Sequence, residues 1–175
     1  RDHRHPVANT LMAMQFLDKP SDLIDQLLAF DTFAGLEREA RGWLVDHSEY
    51  FSLEAGEFLF KQSAPADYML ILMKGEFVVN FERGARQREI GTFHEGTVGG
   101  ILPFSRMKDM GADGKALKPC LGLRLHKKHF TAMVNASYEL TEALVATMST
   151  RIRDYSQFQF QDEKLMALGR LSAGL

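Results

Sequence analysis

The chain has 175 residues, of which 45% are hydrophobic and 25% charged, and its 21 basic and 23 acidic side chains leave a formal charge of −2. These values describe one ordinary folded domain with room for an appendage. The near-neutral balance argues against nucleic-acid and anionic-membrane partners, which require clustered positive charge. The longest apolar run, from Tyr68 to Met73, is far shorter than the roughly 20 residues that cross a bilayer. We therefore expect no nucleic-acid partner and no membrane partner.

Cys120 is the only cysteine in the sequence. It forms no disulfide within the chain, which fits a reducing compartment, so we expect a cytoplasmic protein. The simplest interpretation of its side chain is a small buried hydrophobic group, and a thiol activated by Lys118 or Arg124 is the alternative. Because the chain begins at Arg1 rather than Met, we expect a fragment of a longer protein.

Helical periodicity dominates the first quarter of the chain. Apolar residues recur at helical spacing from Asn9 to Phe30 with a break at residues 19–22, and a third helix is predicted from Phe33 to Val45. Trp43 on the third helix is expected to be a core aromatic residue. We assign residues 1–32 to an N-terminal helical segment.

The pattern then changes to short segments rich in aromatic and branched side chains, separated by glycine or proline. The predicted strands are 57–61, 68–73, 76–82, 87–92 and 121–125. Lys74-Gly75 and residues 83–85 are predicted hairpin turns, because glycine adopts a positive φ at little cost. Residues 96–118 follow neither period and are predicted to be a long loop with room for one helical turn.

From Lys127 the sequence returns to helical periodicity, with a break near residues 135–137. Residues 138–175 contain no proline and no glycine before Gly169. At about 1.5 Å per residue, a continuous helix over this stretch is roughly 57 Å long. A domain of this size cannot bury such a rod, so we predict a homodimer formed through the C-terminal helix.

The sequence contains no GxxxxGK[ST] phosphate loop, no GxGxxG after a strand, no HExxH and no GxSxG. We therefore expect no catalytic residues in this chain. His126 and His129 are spaced for metal binding on one helical face. Lys127 and Lys128 lie between them and repel a cation, so we expect no metal site.

The best candidate site lies in the predicted loop. The candidate ligand-binding residues are Gly99, Gly100, Ile101, Leu102, Ser105 and Arg106. The two glycines let backbone amides approach a ligand, and a helix starting there would point its positive end at an anion. Ser105 and Arg106 supply a hydroxyl and a guanidinium for phosphate or carboxylate oxygens. An ordinary glycine- and proline-containing loop with a solvated arginine is the alternative.

Two segments resemble the β-roll of the cyclic nucleotide-binding domain family. Residues 51–60 are FSLEAGEFLF and residues 66–79 are ADYMLILMKGEFVV, which match the family pattern of GE-x-L, a turn, then D-x-[ML]-x-I-L-x-G-E-[VF]. Residues 123–130, LRLHKKHF, are similar to the last strand and the start of the following helix in that family. The resemblance covers roughly residues 33–153.

This resemblance implies an α+β fold, a jelly-roll-like β-roll over residues 33–137 flanked by N-terminal helices and by a long C-terminal helix over residues 138–175. The ligand it implies is a cyclic nucleotide or another phosphorylated small molecule, and it implies no fixed cofactor. The family holds ribose and phosphate with F-G-E-[LI]-A-L followed by P-R-A-A. Here Gly100 stands at the position of the glutamate, and Met110 at that of the arginine. Losing such a charged hydrogen bond costs about 2 kcal/mol or more, so we expect a changed ligand or none.

The end of the chain carries a second resemblance. Residues 163–175, EKLMALGRLSAGL, resemble the segment just before the phosphoacceptor box of sensor histidine kinases. Leu168, Leu171 and Leu175 have the spacing of a helical seam. The resemblance implies a dimerisation helix whose phosphoacceptor histidine follows this chain. An ordinary amphipathic helix end is the alternative.

These patterns together predict the ligand-sensing domain of a cytoplasmic two-component sensor histidine kinase. A ligand in the 99–106 loop would change the packing of the loop on the C-terminal helix and shift the paired helices. The alternative is a dimerisation and protein-interaction module that binds no ligand. A transcription factor of the cyclic-AMP receptor type needs a helix-turn-helix after this helix, and residues 157–175 offer no such pair.

Overall fold

A computed structural model of the protein describes residues 14–101, 103, 105–150 and 168. The strands are β1 (Gln15–Leu17), β2 (Glu49–Leu53), β3 (Phe58–Phe60), β4 (Tyr68–Lys74), β5 (Phe77–Arg83), β6 (Arg86–Phe93), β7 (Val98–Gly100), β8 (Asp113–Ala116) and β9 (Cys120–His126). The helices are α1 (Leu23–Gln26), α2 (Asp31–Ala34), α3 (Arg38–His47), α4 (Phe130–Ala136) and α5 (138–150), with 3₁₀ turns at Leu27–Ala29 and Lys127–His129. The predicted α+β class is confirmed.

The strands of the described chain form two antiparallel sheets that face each other. The first sheet has the order β1-β2-β9-β4-β7 and the second the order β3-β8-β5-β6. Side chains alternate across β9, as the two-residue period of a strand requires. Leu123 and Leu125 belong to the core cluster that contains the helices, whereas Cys120 belongs to the cluster between the sheets. The first sheet is therefore covered on both faces.

Helices cover the outer face of the first sheet. Leu23, Leu44, Met133 and Leu144 are each fully buried in the same cluster as the outward-facing residues of β4 and β9. Arg41 lies inside this helical layer, 6% exposed, and its Nη1 donates to the carbonyl of Ile24 at 2.6 Å. The guanidinium thereby satisfies a backbone acceptor near the end of α1 and joins that helix to α3.

The N-terminal helical prediction is wrong at residues 15–17. These residues form β1 and pair antiparallel with β2, with Phe16 opposite Phe51. The predicted helix over 33–45 is also divided, because α2 ends before Gly35 and α3 begins at Arg38. Short apolar spacings are compatible with several local structures, and contacts with distant residues decide between them. Trp43 is partly buried against the core, as expected, and stacks on His47 with ring centroids 4.0 Å apart.

All five predicted strands are confirmed, but β2, β7 and β8 are additional. Both β7 and β8 lie inside the predicted loop 96–118. Their short, glycine-containing sequences hold only one β-branched residue, Val98, and pairing with β4, β3 and β5 holds them extended. The 83–85 turn is a hairpin between β5 and β6, as predicted. Lys74-Gly75 is not a hairpin, because β4 and β5 belong to different sheets and the turn carries the chain between them.

The predicted break near residues 135–137 is present. Helix α4 ends before Ser137, whose Oγ accepts a hydrogen bond from the amide of Leu140 at 3.2 Å and so caps the start of α5. The predicted rod continues beyond residue 150 into positions that lie outside the described residues, apart from Leu168. Within the described part of the chain, no helix combines the length and apolar character needed to span a membrane.

Two glycines with positive φ allow a matched test of this fold. Gly75 (φ 109°) would place a Cβ 2.6 Å from the carbonyl oxygen of Pro119, whereas Gly84 (φ 64°) has open space around it. We expect Gly84→Ala to lower the free energy of unfolding by about 1 kcal/mol, the cost of left-handed backbone alone, and Gly75→Ala to lower it clearly more. Urea denaturation measures both values, and equal losses would contradict the crossover at Gly75.

Candidate functional site

The segment between β7 and β8 leaves the first sheet and enters the second. Its later part is tied to the preceding chain, since the amide of Ala66 donates to Lys108 at 3.0 Å and the amide of Met110 donates to Ala64 at 3.1 Å. Residues 101–107, of which 101, 103 and 105–107 are described, precede these ties in the chain. This span carries most of the predicted ligand-binding residues.

Gly99 and Gly100 are the last residues of β7, not the start of a helix. They lie opposite Leu70 and Met69 in the antiparallel pair with β4. Residues 101, 103 and 105–112, the described part of the segment that follows, contain no helical residue. The expected helix N-terminus aimed at an anion is therefore wrong, because pairing with β4 keeps the backbone extended through the two glycines.

Gly100 is constrained by its own surroundings. Its φ is 81°, and a Cβ built there would overlap the carbonyl oxygen of Tyr68. A glutamate at this position, which the family resemblance would place here, is incompatible with this path of the backbone. Glycine at position 100 is thus required by the close approach of β7 to β4.

Ile101 follows the turn at Gly100 and enters the core. Its amide donates to the carbonyl of Tyr68 at 3.1 Å, and its side chain is buried in the same cluster as Leu140 and Leu144 of α5. It is a packing residue in a core cluster that also contains residues of the C-terminal helix. Leu102, also predicted to bind ligand, lies outside the described residues.

Ser105 and Arg106 are both exposed. The Oγ of Ser105 accepts from the amide of Met107 at 3.2 Å, which makes a local turn. In the described part of the chain, neither side chain hydrogen-bonds to Gly99 or Gly100. The described site residues therefore follow one another along one segment. Gly99 and Gly100 lie in the sheet, Ile101 lies in the core, and Ser105 and Arg106 lie in solvent. They do not surround a common pocket.

Met110 occupies the position that the resemblance implies for a phosphate-binding arginine. It is partly buried and packs against the core cluster that contains the helices. An apolar side chain has therefore become part of the core at this point. The sequence predicts that this position makes no charged contact with a phosphate, and the packing of Met110 agrees with that prediction.

Side chains fill the interior of the roll next to Gly99. The void between the sheets at this point is about 10 Å³, roughly the space for one water molecule. Aromatic rings close it, with the Phe77 ring centroid 6.4 Å from that of Phe60 and 5.4 Å from that of Phe93. A nucleotide-sized ligand at this point would have to displace these rings.

The remaining reactive side chains are accounted for by burial and packing. Cys120 is 1% exposed, and burial raises the pKa of its thiol, so the interpretation as a small hydrophobic residue is confirmed. Burial, with the nearby Lys128, His47 and His126, lowers the pKa of His129. Among the described residues, no group of three His, Cys, Asp or Glu side chains is arranged to hold a metal ion.

Sequence reasoning missed one charged cluster. The guanidinium carbon of Arg124 lies 4.3 Å from the ring centroid of Phe16 and 4.0 Å from that of Tyr68, and its Nη2 lies 3.3 Å from Glu49. The one local signal was an arginine between two leucines in a predicted strand. Alternation places its side chain on the other face of that strand from Leu123 and Leu125. Its aromatic partners come from distant parts of the chain.

Comparison with known proteins decides the family. Residues 50–137, half of the chain, match the family model described as the cyclic nucleotide-binding domain. The chain belongs to the cyclic nucleotide-binding domain family. This membership confirms the resemblance in residues 51–60 and 66–79 and the implied β-roll with flanking helices. A search of curated proteins gave no match.

Solved structures share the fold of this cyclic nucleotide-binding domain. A catabolite activator protein from Thermus thermophilus has a TM-score of 0.63 at 17% identity, with 79% of this chain and 62% of that chain covered. A mutant regulatory subunit of a cAMP-independent protein kinase A from Trypanosoma brucei, bound to cAMP, has a TM-score of 0.65 at 17% identity, with 79% and 49% covered. A cyclic nucleotide-binding domain from Methylobacillus flagellatus has a TM-score of 0.66 at 15% identity, with 81% and 82% covered. The chain spans less than two thirds of the first two proteins.

Restoring the family glutamate tests the constraint at Gly100. We expect Gly100→Glu to lower the free energy of unfolding by several kcal/mol, because the new Cβ meets the backbone of β4. Gly111→Glu is the matched control, since Gly111 also has a positive φ (71°) but open space around it, and we expect it to cost about 1 kcal/mol. Chemical denaturation of both variants measures the difference. A Gly100→Glu variant as stable as the control would show that β7 does not approach β4 in this way.

Proposed function

We propose that this domain senses a small anionic ligand and passes the bound state to the helix that follows it. The observation that carries the proposal is the position of Ile101. It follows directly on the positive-φ turn at Gly100 and is buried in one cluster with Leu140 and Leu144 of α5. On this proposal, a change in the 99–106 segment is passed through the shared core to the start of the C-terminal helix.

A second contact supports transmission through α5. The Oγ1 of Thr32 in α2 lies 3.1 Å from the Oγ1 of Thr147 in α5, at hydrogen-bond distance. The C-terminal helix thus shares a core cluster with Ile101 and contacts α2 at Thr32. A ligand shifts this helix only if it binds two arrangements of the loop with different affinity.

The proposed ligand is a cyclic nucleotide or another phosphorylated small molecule, bound at residues 99–106. Family membership supports the ligand class. Arg106 is the exposed cation of the loop, and a guanidinium forks onto phosphate or carboxylate oxygens. With Met110 packed into the core, Arg106 is the loop residue that would replace the missing arginine.

Residues 138–175 are proposed to lead into the dimerisation helix of a cytoplasmic sensor histidine kinase, with this chain itself transferring no phosphate. The support is the similarity of residues 163–175 to the segment before the phosphoacceptor box, which lies outside the described residues apart from Leu168. The division into residues 1–32, 33–137 and 138–175 belongs to the same proposal. No nucleic-acid partner is proposed, because the charge balance lacks a basic excess.

The alternative is a dimerisation and protein-interaction module that retains the fold without a ligand. Three observations favour it: the close contact at Gly100, the core packing of Met110 and the void of about 10 Å³ beside Gly99. The first two remove charged contacts that would hold a ligand inside the roll, and the third removes the space for it. Titration separates the two functions.

Isothermal titration of the protein with cyclic AMP, cyclic GMP, cyclic di-nucleotides and inorganic phosphate tests ligand binding. We expect at least one probe to bind, and Arg106→Ala to weaken it about tenfold, the effect of one lost charged hydrogen bond. Lys108→Ala, which removes another exposed cation of the same segment, is the control and should change the affinity no more than about twofold. An unchanged affinity in Arg106→Ala would refute the assignment, and no binding by any probe would favour the alternative.

Dimerisation is tested by sedimentation of the whole chain. We expect a homodimer, because Leu168, Leu171 and Leu175 have the sequence spacing of a helical seam that pairs with a second copy. Leu171→Lys places a charge in that seam and should shift the protein towards monomer. A wild-type chain that remains monomeric at high concentration would refute the predicted pairing.

A further inference from the structure

The inner face of the first sheet, which is turned towards the second sheet, carries a cation, Arg124. Leu123 and Leu125 face the helices, so Arg124 between them faces the side of the second sheet. Its side chain is 16% exposed, and its guanidinium carbon lies between the rings of Phe16 and Tyr68, 4.3 Å and 4.0 Å from their centroids. Two aromatic faces therefore fix the orientation of the charge.

The donors of Arg124 are only partly used. One nitrogen, Nη2, lies 3.3 Å from both carboxylate oxygens of Glu49, longer than the roughly 2.7–2.9 Å of a well-formed charged bond. The Nε is buried and bonds no atom in the described part of the chain. Glu49 is about half exposed, at 48%, so this loose pair lies at the solvent edge. The guanidinium thus has a donor that no described group satisfies and a loosely held carboxylate partner.

A neighbouring side chain adds a donor on the same face. His126 lies two positions after Arg124, and its ring centroid is 4.9 Å from that of Tyr68. Its Nδ1 accepts a hydrogen bond from the amide of Lys128 at 3.0 Å. The proton of the neutral ring is therefore on Nε2, which is left as the donor.

The sheet register relates this cluster to the loop. Arg124 lies opposite Leu70, and Leu70 lies opposite Gly99. The three residues form one row across the sheet, which places Arg124 about 10 Å from the end of β7. A small ligand can contact both the 99–106 loop and a long side chain at that separation.

We propose that Arg124, with His126 and the ring of Tyr68, forms an anion-binding site that takes the phosphate or carboxylate of the ligand. This proposal rests on the proposed ligand-sensing function and assigns the anion to a residue of β9 in addition to the loop. The ligand anion competes with Glu49 for the guanidinium, while the rings of Tyr68 and Phe16 keep the fork in place. When the ligand binds, its anion replaces the carboxylate of Glu49 as the partner of the Arg124 guanidinium.

The competition with Glu49 provides the test. Isothermal titration with cyclic AMP, cyclic GMP and inorganic pyrophosphate is carried out on the wild type, Arg124→Lys and Glu49→Gln. We expect Arg124→Lys to weaken binding about tenfold, because a lysine keeps the charge but loses the fork. Glu49→Gln removes the competing carboxylate and should tighten binding several-fold. A purely structural ion pair predicts no gain from Glu49→Gln.

Each outcome decides the proposal. Weaker binding in Arg124→Lys together with tighter binding in Glu49→Gln supports it, provided that thermal melting shows both variants folded. If Arg124→Lys fails to fold, the gain or absence of gain in Glu49→Gln decides alone. If both folded variants bind as the wild type does while Arg106→Ala weakens binding, the Arg124 site is refuted and the sensing function stands. No binding of any probe to the wild type refutes both.

Discussion

The close approach of β7 to β4 is the constraint on which the site depends. Gly100 adopts a positive φ against the carbonyl of Tyr68, where no side chain fits. The turn sends Ile101 away from the interior of the roll and into the cluster that contains α5. One backbone contact thus excludes the glutamate of the family pattern and precedes a residue that shares its core cluster with the C-terminal helix.

The consequences differ on the two faces of the first sheet. On the helical face, Ile101 and Met110 have both joined the core, so the segment that would hold a ligand also holds the helices. On the inner face, aromatic rings fill the space beside Gly99, and Arg124 lies in the same row of the sheet as Gly99 and Leu70. The fold of the family is retained, while apolar packing or glycine stands where the family pattern has charged contacts.

Much of the fold was predictable because local patterns record it. The alternation in β4 and β9 and the glycine turn at Gly84 are local features, and each was assigned correctly. Four strands, β1, β2, β7 and β8, were not predicted, because glycine and short apolar spacings do not specify an extended chain. They are extended because a partner strand lies beside them, and that partner is distant in the sequence.

For the site, the sequence alone determined the family frame and the residue types available, including the absence of charge at Gly100 and Met110. It also placed Arg124 on the opposite side of its strand from Leu123 and Leu125. Only the tertiary structure decided that Phe16 and Tyr68 enclose that arginine and that Ile101 joins the core cluster that includes α5. Periodicity records which face a side chain occupies, whereas the neighbours it meets there depend on pairing between strands far apart in the chain.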